Sequence, residues 1–148
     1  VIGAGCHSTQ LSGSTVFCHQ LSLPRKNLPV VNLSCREQTD SRVIAARLAA
    51  SESRETVLAM PGFEAPDYEQ VRRLAQVICQ GAGDRPIYVC LQNDMAKALG
   101  QCLCLLLPPD RPCICLDRLT FGSESYLDIG APVGPCFPVV IKTLVLSN

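Results

Sequence analysis

A three-layer α/β domain, with a mainly parallel sheet flanked by helices, is the fold class this sequence predicts, and three observations carry it. Short apolar runs alternate with amphipathic stretches from Thr56 to Leu116. That alternation fits strand-helix-strand crossovers, and so a parallel sheet with right-handed connections. Ile87-Tyr88-Val89-Cys90-Leu91 is apolar throughout, as a strand covered on both faces must be. The 148 residues, 47% of them hydrophobic, suffice for one compact domain, residues 1–148, with a real core.

The elements follow in order. Val1-Ile2 runs into the small-residue turn Gly3-Ala4-Gly5, followed by Cys6-His7-Ser8-Thr9. A Gly-rich turn after a strand end lets backbone approach a ligand that any Cβ would push away. The turn stands at the start of the chain with no Met before it, which predicts a part of a larger protein. Thr15–Cys18 and Pro29–Leu33 read as short strands, joined by an irregular or hairpin-like segment around Leu23-Pro24-Arg25-Lys26-Asn27. From Arg36 to about Ala50, the positions Val43, Ile44, Arg47 and Leu48 predict a modest amphipathic helix.

Thr56–Met60 is a short strand stopped by Pro61-Gly62. Pro66 opens a helix in which Val71, Leu74, Ala75 and Ile78 recur at helical spacing, and Gly81 and Gly83 stop it. After the strand Ile87–Leu91, Asn93 or Asp94 is expected to cap a second helix, with Met95, Leu99, Cys102, Leu103 and Leu106 on one side. Pro108-Pro109 ends that helix, and Cys113–Leu116 supplies another strand. Tyr126–Ile129 and Pro138–Leu146 are expected to pair at an edge of the sheet.

Charge excludes one class of partner. Thirteen basic and thirteen acidic residues balance, and the two halves of the chain differ little in sign. A nucleic-acid face needs clustered positive charge, so none is expected. No segment reaches the roughly 20 apolar residues of a membrane span, since Lys142 interrupts Val139–Leu146 and Pro108-Pro109 ends Cys102–Leu107. A soluble, cytoplasmic protein is expected. Ten cysteines pose a choice between disulfides, metal and buried thiols. Cys79, Cys90, Cys102, Cys113 and Cys115 fall inside apolar segments, where free Cys behaves as a small hydrophobe, so mostly inert thiols in a reducing compartment are expected. The pairs Cys102/Cys104 and Cys113/Cys115 could in principle supply four zinc thiolates, but recognised structural sites favour two to four residues between paired ligands. No intrinsic metal is expected.

Three chemical candidates remain. Val1-Ile2-Gly3-Ala4-Gly5 matches the start of a dinucleotide-binding turn, but Ser8 occupies the third glycine position and Gly13 breaks the helix that should face the pyrophosphate. Asn32 and Ser34 stand where an acidic residue should end the second strand. His7 and His19 are the only histidines, neither beside a carboxylate at a hydrolase spacing, and there is no G-x-S-x-G elbow and no G-x-x-x-x-G-K-[ST] loop. No catalytic residue is assigned. Finally, Gly62-Phe63 and Gln92-Asn93-Asp94 follow successive strands and share the crevice at the carboxyl ends of a parallel sheet, where open α/β folds place ligands. Capping is the simpler role for Asn93 and Asp94, core or rim packing for Tyr88 and Phe63, and a snorkelling edge position for Lys142.

Four blocks then carry a resemblance. They are Val1 through Thr15, Leu28-Pro29-Val30-Val31, Asn93 through Gln101, and Tyr126–Gly130 with Pro138–Leu144. In this order they resemble the C-terminal third of the ethanolamine ammonia-lyase reactivating factors, the EutA family, nearly end to end. The family is similar to actin-like and Hsp70-like ATPases, so the chain is expected to be part of such a lobe. The resemblance implies a chaperone that uses ATP and magnesium to release inactivated cobalamin from ethanolamine ammonia-lyase, so that intact adenosylcobalamin can replace it. It implies nucleotide-contacting positions at Gly3, Ala4, Gly5, Cys6 and His7, and a bacterial cytoplasmic setting, in association with an ethanolamine-utilisation microcompartment.

It also implies that the phosphate-binding turns and magnesium-linked acidic residues lie upstream of the matched region. This chain alone should therefore bind nucleotide weakly and hydrolyse none. Two partners follow, the lyase and the N-terminal ATPase portion. A non-catalytic lyase-docking domain, using a sheet edge or the Gly122–Glu124 loop, is the competing reading. A dinucleotide-binding module should prefer NAD or FAD to ADP, and a zinc-thiolate module should lose its fold with chelator.

Overall fold

The computed structural model describes residues 6–11, 17–122 and 125–143. Its strands are β1 (Cys6–Leu11), β2 (Phe17–His19), β3 (Arg25–Asn32), β4 (Val57–Met60), β5 (Ile87–Leu91), β6 (Cys113–Leu116), β7 (Ser125–Ile129) and β8 (Pro138–Thr143). The helices are α1 (Ser41–Ala49), α2 (Tyr68–Ala82) and α3 (Ala96–Leu106). The fold is α/β, with strand order β1-β8-β7-β3-β4-β5-β6-β2. Strands β3 to β6 run parallel, and the rest pair antiparallel.

The parallel core explains the helix layer. Strands β3, β4, β5 and β6 follow one another in both sequence and space, and right-handed crossovers taken repeatedly in one direction put every crossover helix on the same face. One core cluster accordingly joins Leu58, Met60, Val89, Leu91 and Cys115 of the strands to Ile44, Leu48, Leu74, Ile78, Leu99 and Leu103 of the helices. Every residue of β4, β5 and β6 is buried, so their continuous apolar sequences reflect cover on both faces.

The second face is covered by strands. Strand β3 is shared, with Arg25 to Pro29 pairing β7 across an irregular register and Val30 to Asn32 pairing β4. A strand that changes partners at a bulge is how a sheet turns a corner, and Asn27 sits there with φ 57°. Chain length requires the turn: Leu11 and Phe17 are six steps apart, at most about 22 Å, whereas a flat sheet would hold β1 and β2 seven spacings apart, about 34 Å. The antiparallel arm therefore curls back over the parallel strands. Its Leu127, Ile129, Val139 and Ile141 share a second core with Val57, Tyr88, Cys90, Ile114 and Leu116. The three layers are helices, parallel strands and antiparallel strands.

Several local expectations change. Strand β3 starts at Arg25, inside the segment expected to be irregular, because β7 offers it a partner. The first helix is split into a 3-10 turn at Glu37–Thr39 and α1, where the Asp40 side chain accepts from the Arg42 N–H. Helix α2 starts at Tyr68, two residues after Pro66, with Asp67 and Gln70 forming a reciprocal capping box. Gly83 ends α2 with φ 62°, but Gly81 lies within the helix. Strands β7 and β8 pair as expected, but β1 lines the far side of β8. Lys142 is consequently no edge residue.

Lys142 holds the antiparallel arm together. Its Nζ lies 2.7 Å from Asp128 Oδ2 and donates to Asn27 Oδ1 at 2.9 Å, and the Asn27 N–H donates to Asp128 Oδ1 at 2.8 Å. Burial alone would raise the Asp128 pKa, but the Lys142 and Asn27 hydrogen bonds and the ammonium charge outweigh it and hold the carboxyl below its ordinary range. A depressed folded pKa stabilises above the unfolded value of about 3.9 and is lost as pH falls through the folded value. Asp128→Asn should thus lower stability by about 1–2 kcal/mol at pH 7 and flatten the acid limb of the pH–stability curve measured by urea unfolding.

Candidate functional site

The crossover loops gather at the carboxyl ends of the parallel strands. After β4, Gly62 takes φ 70°, and a Cβ there would lie 2.8 Å from Met95 Sδ. Gln38 is fully buried in the 3-10 turn and grips Gly62 twice: its Nε2 donates to the Gly62 carbonyl at 3.1 Å, and the Gly62 N–H donates to its Oε1 at 2.8 Å. The next loop is tied to the first, since Asn93 Nδ2 donates to the Pro61 carbonyl at 2.7 Å and the Phe63 N–H points to Met95 Sδ at 3.3 Å. After β6, Arg118 pairs with Asp94 at 2.6 Å while Asp117 is fully buried.

The rim thus brings together Gly62, Phe63, Asn93 and Asp94 as the sequence suggests, but in other roles. The N-cap position of α3 is held by Met95, which makes no side-chain cap, rather than by Asn93 or Asp94. A carbonyl and a guanidinium nearby compete for them. Two cavities flank the loop after β4. One of about 270 Å3 is lined by Thr39, Phe63, Gln70, Arg73, Leu74 and Val77. The other, about 380 Å3, lies where α2 and α3 begin, between Tyr68, Val71, Met95 and Cys102. Because the parallel order is monotonic, these strands have no reversal point of the kind that opens a nucleotide crevice in doubly wound sheets.

Of the candidate nucleotide positions, Gly3, Ala4 and Gly5 lie outside the described residues. Cys6 and His7 open β1, opposite Thr143 and Lys142, and Thr143 in turn pairs with Ser125. Ser125 Oγ and Asn32 Nδ2 both donate to the Gly122 carbonyl, each at 2.9 Å. Asn32 ends β3, so the register places the start of β1 in the row that adjoins the carboxyl rim. His19 is elsewhere, with Nε2 2.8 Å from the Pro109 carbonyl and its residue opposite Cys113 at the amino end of β6. The structure does not bring His19 to the rim.

The thiols inside the apolar segments behave as packing groups, whereas Cys18 and Cys35 are exposed. Cys90, Cys102, Cys113 and Cys115 are buried and Cys79 is half-buried. Burial pushes the Cys79 thiol to about 11 and raises Cys90 further, while a hydrogen bond to Cys113, then burial, raises Cys115. Cys79, Cys90 and Cys115 stay protonated at neutral pH. Tyr88, buried as expected, donates its hydroxyl to Glu55 at 2.7 Å, and Arg25 pairs with the same carboxylate. Burial and then that bond raise the Tyr88 pKa. Sequence reasoning missed Gln38 and Arg118: each is a polar residue in a loop, with no periodicity to single it out.

Among the described residues, the rim offers two cavities, a held loop and an ion pair, but no nucleophile beside a base. The chain is an α/β domain with two cavities at the carboxyl rim of its parallel strands. The chain belongs to the ethanolamine utilisation protein EutA family, whose model matches residues 1–147. It is 31% identical over 163 residues to the ethanolamine ammonia-lyase reactivase EutA of Salmonella typhimurium, and 29% over 170 residues to that of Escherichia coli K12. Each alignment covers 100% of this chain and 33% of the relative. The chain spans about a third of the length of these curated relatives, matching their C-terminal third. No solved structure matches it.

Proposed function

We propose that this chain is the C-terminal portion of a reactivating chaperone for adenosylcobalamin-dependent ethanolamine ammonia-lyase, working in the bacterial cytoplasm. The whole protein binds ATP with magnesium and exchanges damaged cobalamin for intact cofactor. This portion contributes the adenosine side through Gly3, Ala4, Gly5, Cys6 and His7 and is catalytically incomplete. The observation that carries the reading is a family match that runs the length of the chain to proteins named as lyase reactivases.

The rim fits a partial role. A nucleoside can be held through backbone and apolar contacts, and the start of β1 adjoins the rim. Phosphates and magnesium need dense charge-assisted contacts, yet Arg118 is already engaged by Asp94. Those contacts are assigned to the portion of the relatives that precedes the matched third.

The test is a titration of isotopically labelled chain with magnesium-ADP, and separately with NAD, following backbone amide shifts. Saturable shifts at residues 3–9 and the neighbouring strand ends with ADP alone are expected, in the weak range of a site without phosphate contacts. Equal or stronger response to NAD would favour a dinucleotide module. Silence to both ligands, with the lyase bound whether or not ATP is present, would make this a docking domain.

A further inference from the structure

The cavity of about 270 Å3 beside α2 has an apolar floor and a polar lip. Phe63, Leu74 and Val77 form the floor and belong to the core on the helix face of the sheet. Phe63 directly follows Gly62, whose two bonds to Gln38 fix that loop, and α2 is held at its start by the capping box. The cavity is therefore shaped before any ligand arrives, as sites for small molecules usually are.

The lip carries charge of one sign. Arg73 is the charged residue of the lining, and no carboxylate joins it there. Its side chain is 72% exposed, and the Glu69 carboxylate stands 3.8 Å away, beyond hydrogen-bond distance and already bonded to Arg72 at 2.8 Å. Gln70 lies on the same side of α2 at i, i+3 spacing. Its Oε1 accepts from the Asp67 N–H, and its Nε2 has no hydrogen-bond partner among the described residues. The Thr39 hydroxyl donates to the Arg36 carbonyl, so the donors left for a ligand are the Arg73 fork and the Gln70 amide.

We infer that this cavity binds a small organic carboxylate with an apolar body. The carboxylate sits on Arg73 and Gln70 Nε2, and the body lies against Phe63, Leu74 and Val77. A guanidinium meets a carboxylate with two parallel N–H donors. One cation also matches its single charge, where a phosphate monoester would bring nearly two. An apolar cavity of roughly 150 Å3 holds one benzene, so the space here suits one ring and a short arm. Cys6 and His7 stand on β1 in the antiparallel arm, across the parallel strands from these residues. A chain blind to ADP therefore leaves this inference standing.

The test is a titration of the isotopically labelled chain with hydrocinnamate, with its uncharged amide, and with propionate, which lacks the ring, following backbone amide shifts. Hydrocinnamate should move residues 62–64 and 70–77 saturably, with half-saturation at about 1 mM or below. The amide and propionate should each bind at least tenfold more weakly. Arg73→Gln should erase the preference for acid over amide and leave the melting temperature unchanged, since the guanidinium stands in water. Val77→Phe, which fills the floor, should abolish binding of both, and Arg73→Gln decides the question if that variant does not fold. No saturable shift with hydrocinnamate, equal binding of acid and amide by the parent chain, or a preference that survives Arg73→Gln would overturn the inference. So would magnesium-ADP moving the same residues, which assigns the cavity to the nucleotide.

Discussion

Gln38→Ala is expected to destabilise the domain by about 2–5 kcal/mol, because a buried backbone N–H and a buried carbonyl of Gly62 lose their partner at one stroke. Water replaces neither bond cheaply, since Gln38 is fully buried. The loss should be read by urea unfolding, with raised hydrogen exchange in residues 61–67, the loop that this amide holds against β5 and α3. Gln38→Glu sharpens the test. A protonated carboxyl can still accept from the N–H and donate to the carbonyl, whereas a carboxylate would face the carbonyl oxygen. Burial and that repulsion raise the folded pKa of the new carboxyl. A raised folded pKa stabilises below the unfolded value of about 4.3 and is lost as pH rises through the folded value. The variant should therefore approach the parent below that pH and be several kcal/mol less stable near pH 8. A flat pH dependence for Gln38→Glu would mean that the amide is not held as described.

Gly81→Val should cost about 3 kcal/mol through overpacking where α1 crosses α2. A Cβ at Gly81 would lie 2.6 Å from Ile44 Cγ2, 2.7 Å from Ile44 Cβ and 3.0 Å from the Ser41 carbonyl oxygen. The last two sit on or next to backbone, so relief requires the helices to separate. The gain of up to about 1 kcal/mol from removing a helical glycine offsets only part of this. Gly83→Ala isolates the backbone term: nothing lies within 4 Å of its Cβ, so its cost is that of forcing an alanine into φ 62° and ψ −122°, about 1–3 kcal/mol. A Gly81→Val variant as stable as the parent would remove close packing as the reason for Gly81.

Much of the fold was legible because its signals are local. Buried strands require continuous apolar runs, so Val57–Met60, Ile87–Leu91 and Cys113–Leu116 announced themselves. Helix α2 did so by the spacing of Val71, Leu74, Ala75 and Ile78, although its Asp67 and Gln70 capping box went unread. The cap of α3 was misread because Asn93 and Asp94 have partners 24 to 32 residues away that no local rule contains. Lys142 was misread as an edge residue because β1, which shields β8, stands more than 130 residues earlier. The rim was legible as a place, the carboxyl ends of parallel strands, but its holding residue Gln38 was not.

The sequence by itself determined the α/β class, the parallel core, the packing role of the cysteines inside its apolar segments and the family, since each depends on residue pattern along one stretch of chain. Tertiary structure alone decided that the helices share one face and that β3 turns the sheet so antiparallel strands cover the other. It also decided that the loop polar groups serve one another. These are matters of which distant segments meet, and the free energy that selects them is burial of surface shared between elements rather than any preference within one.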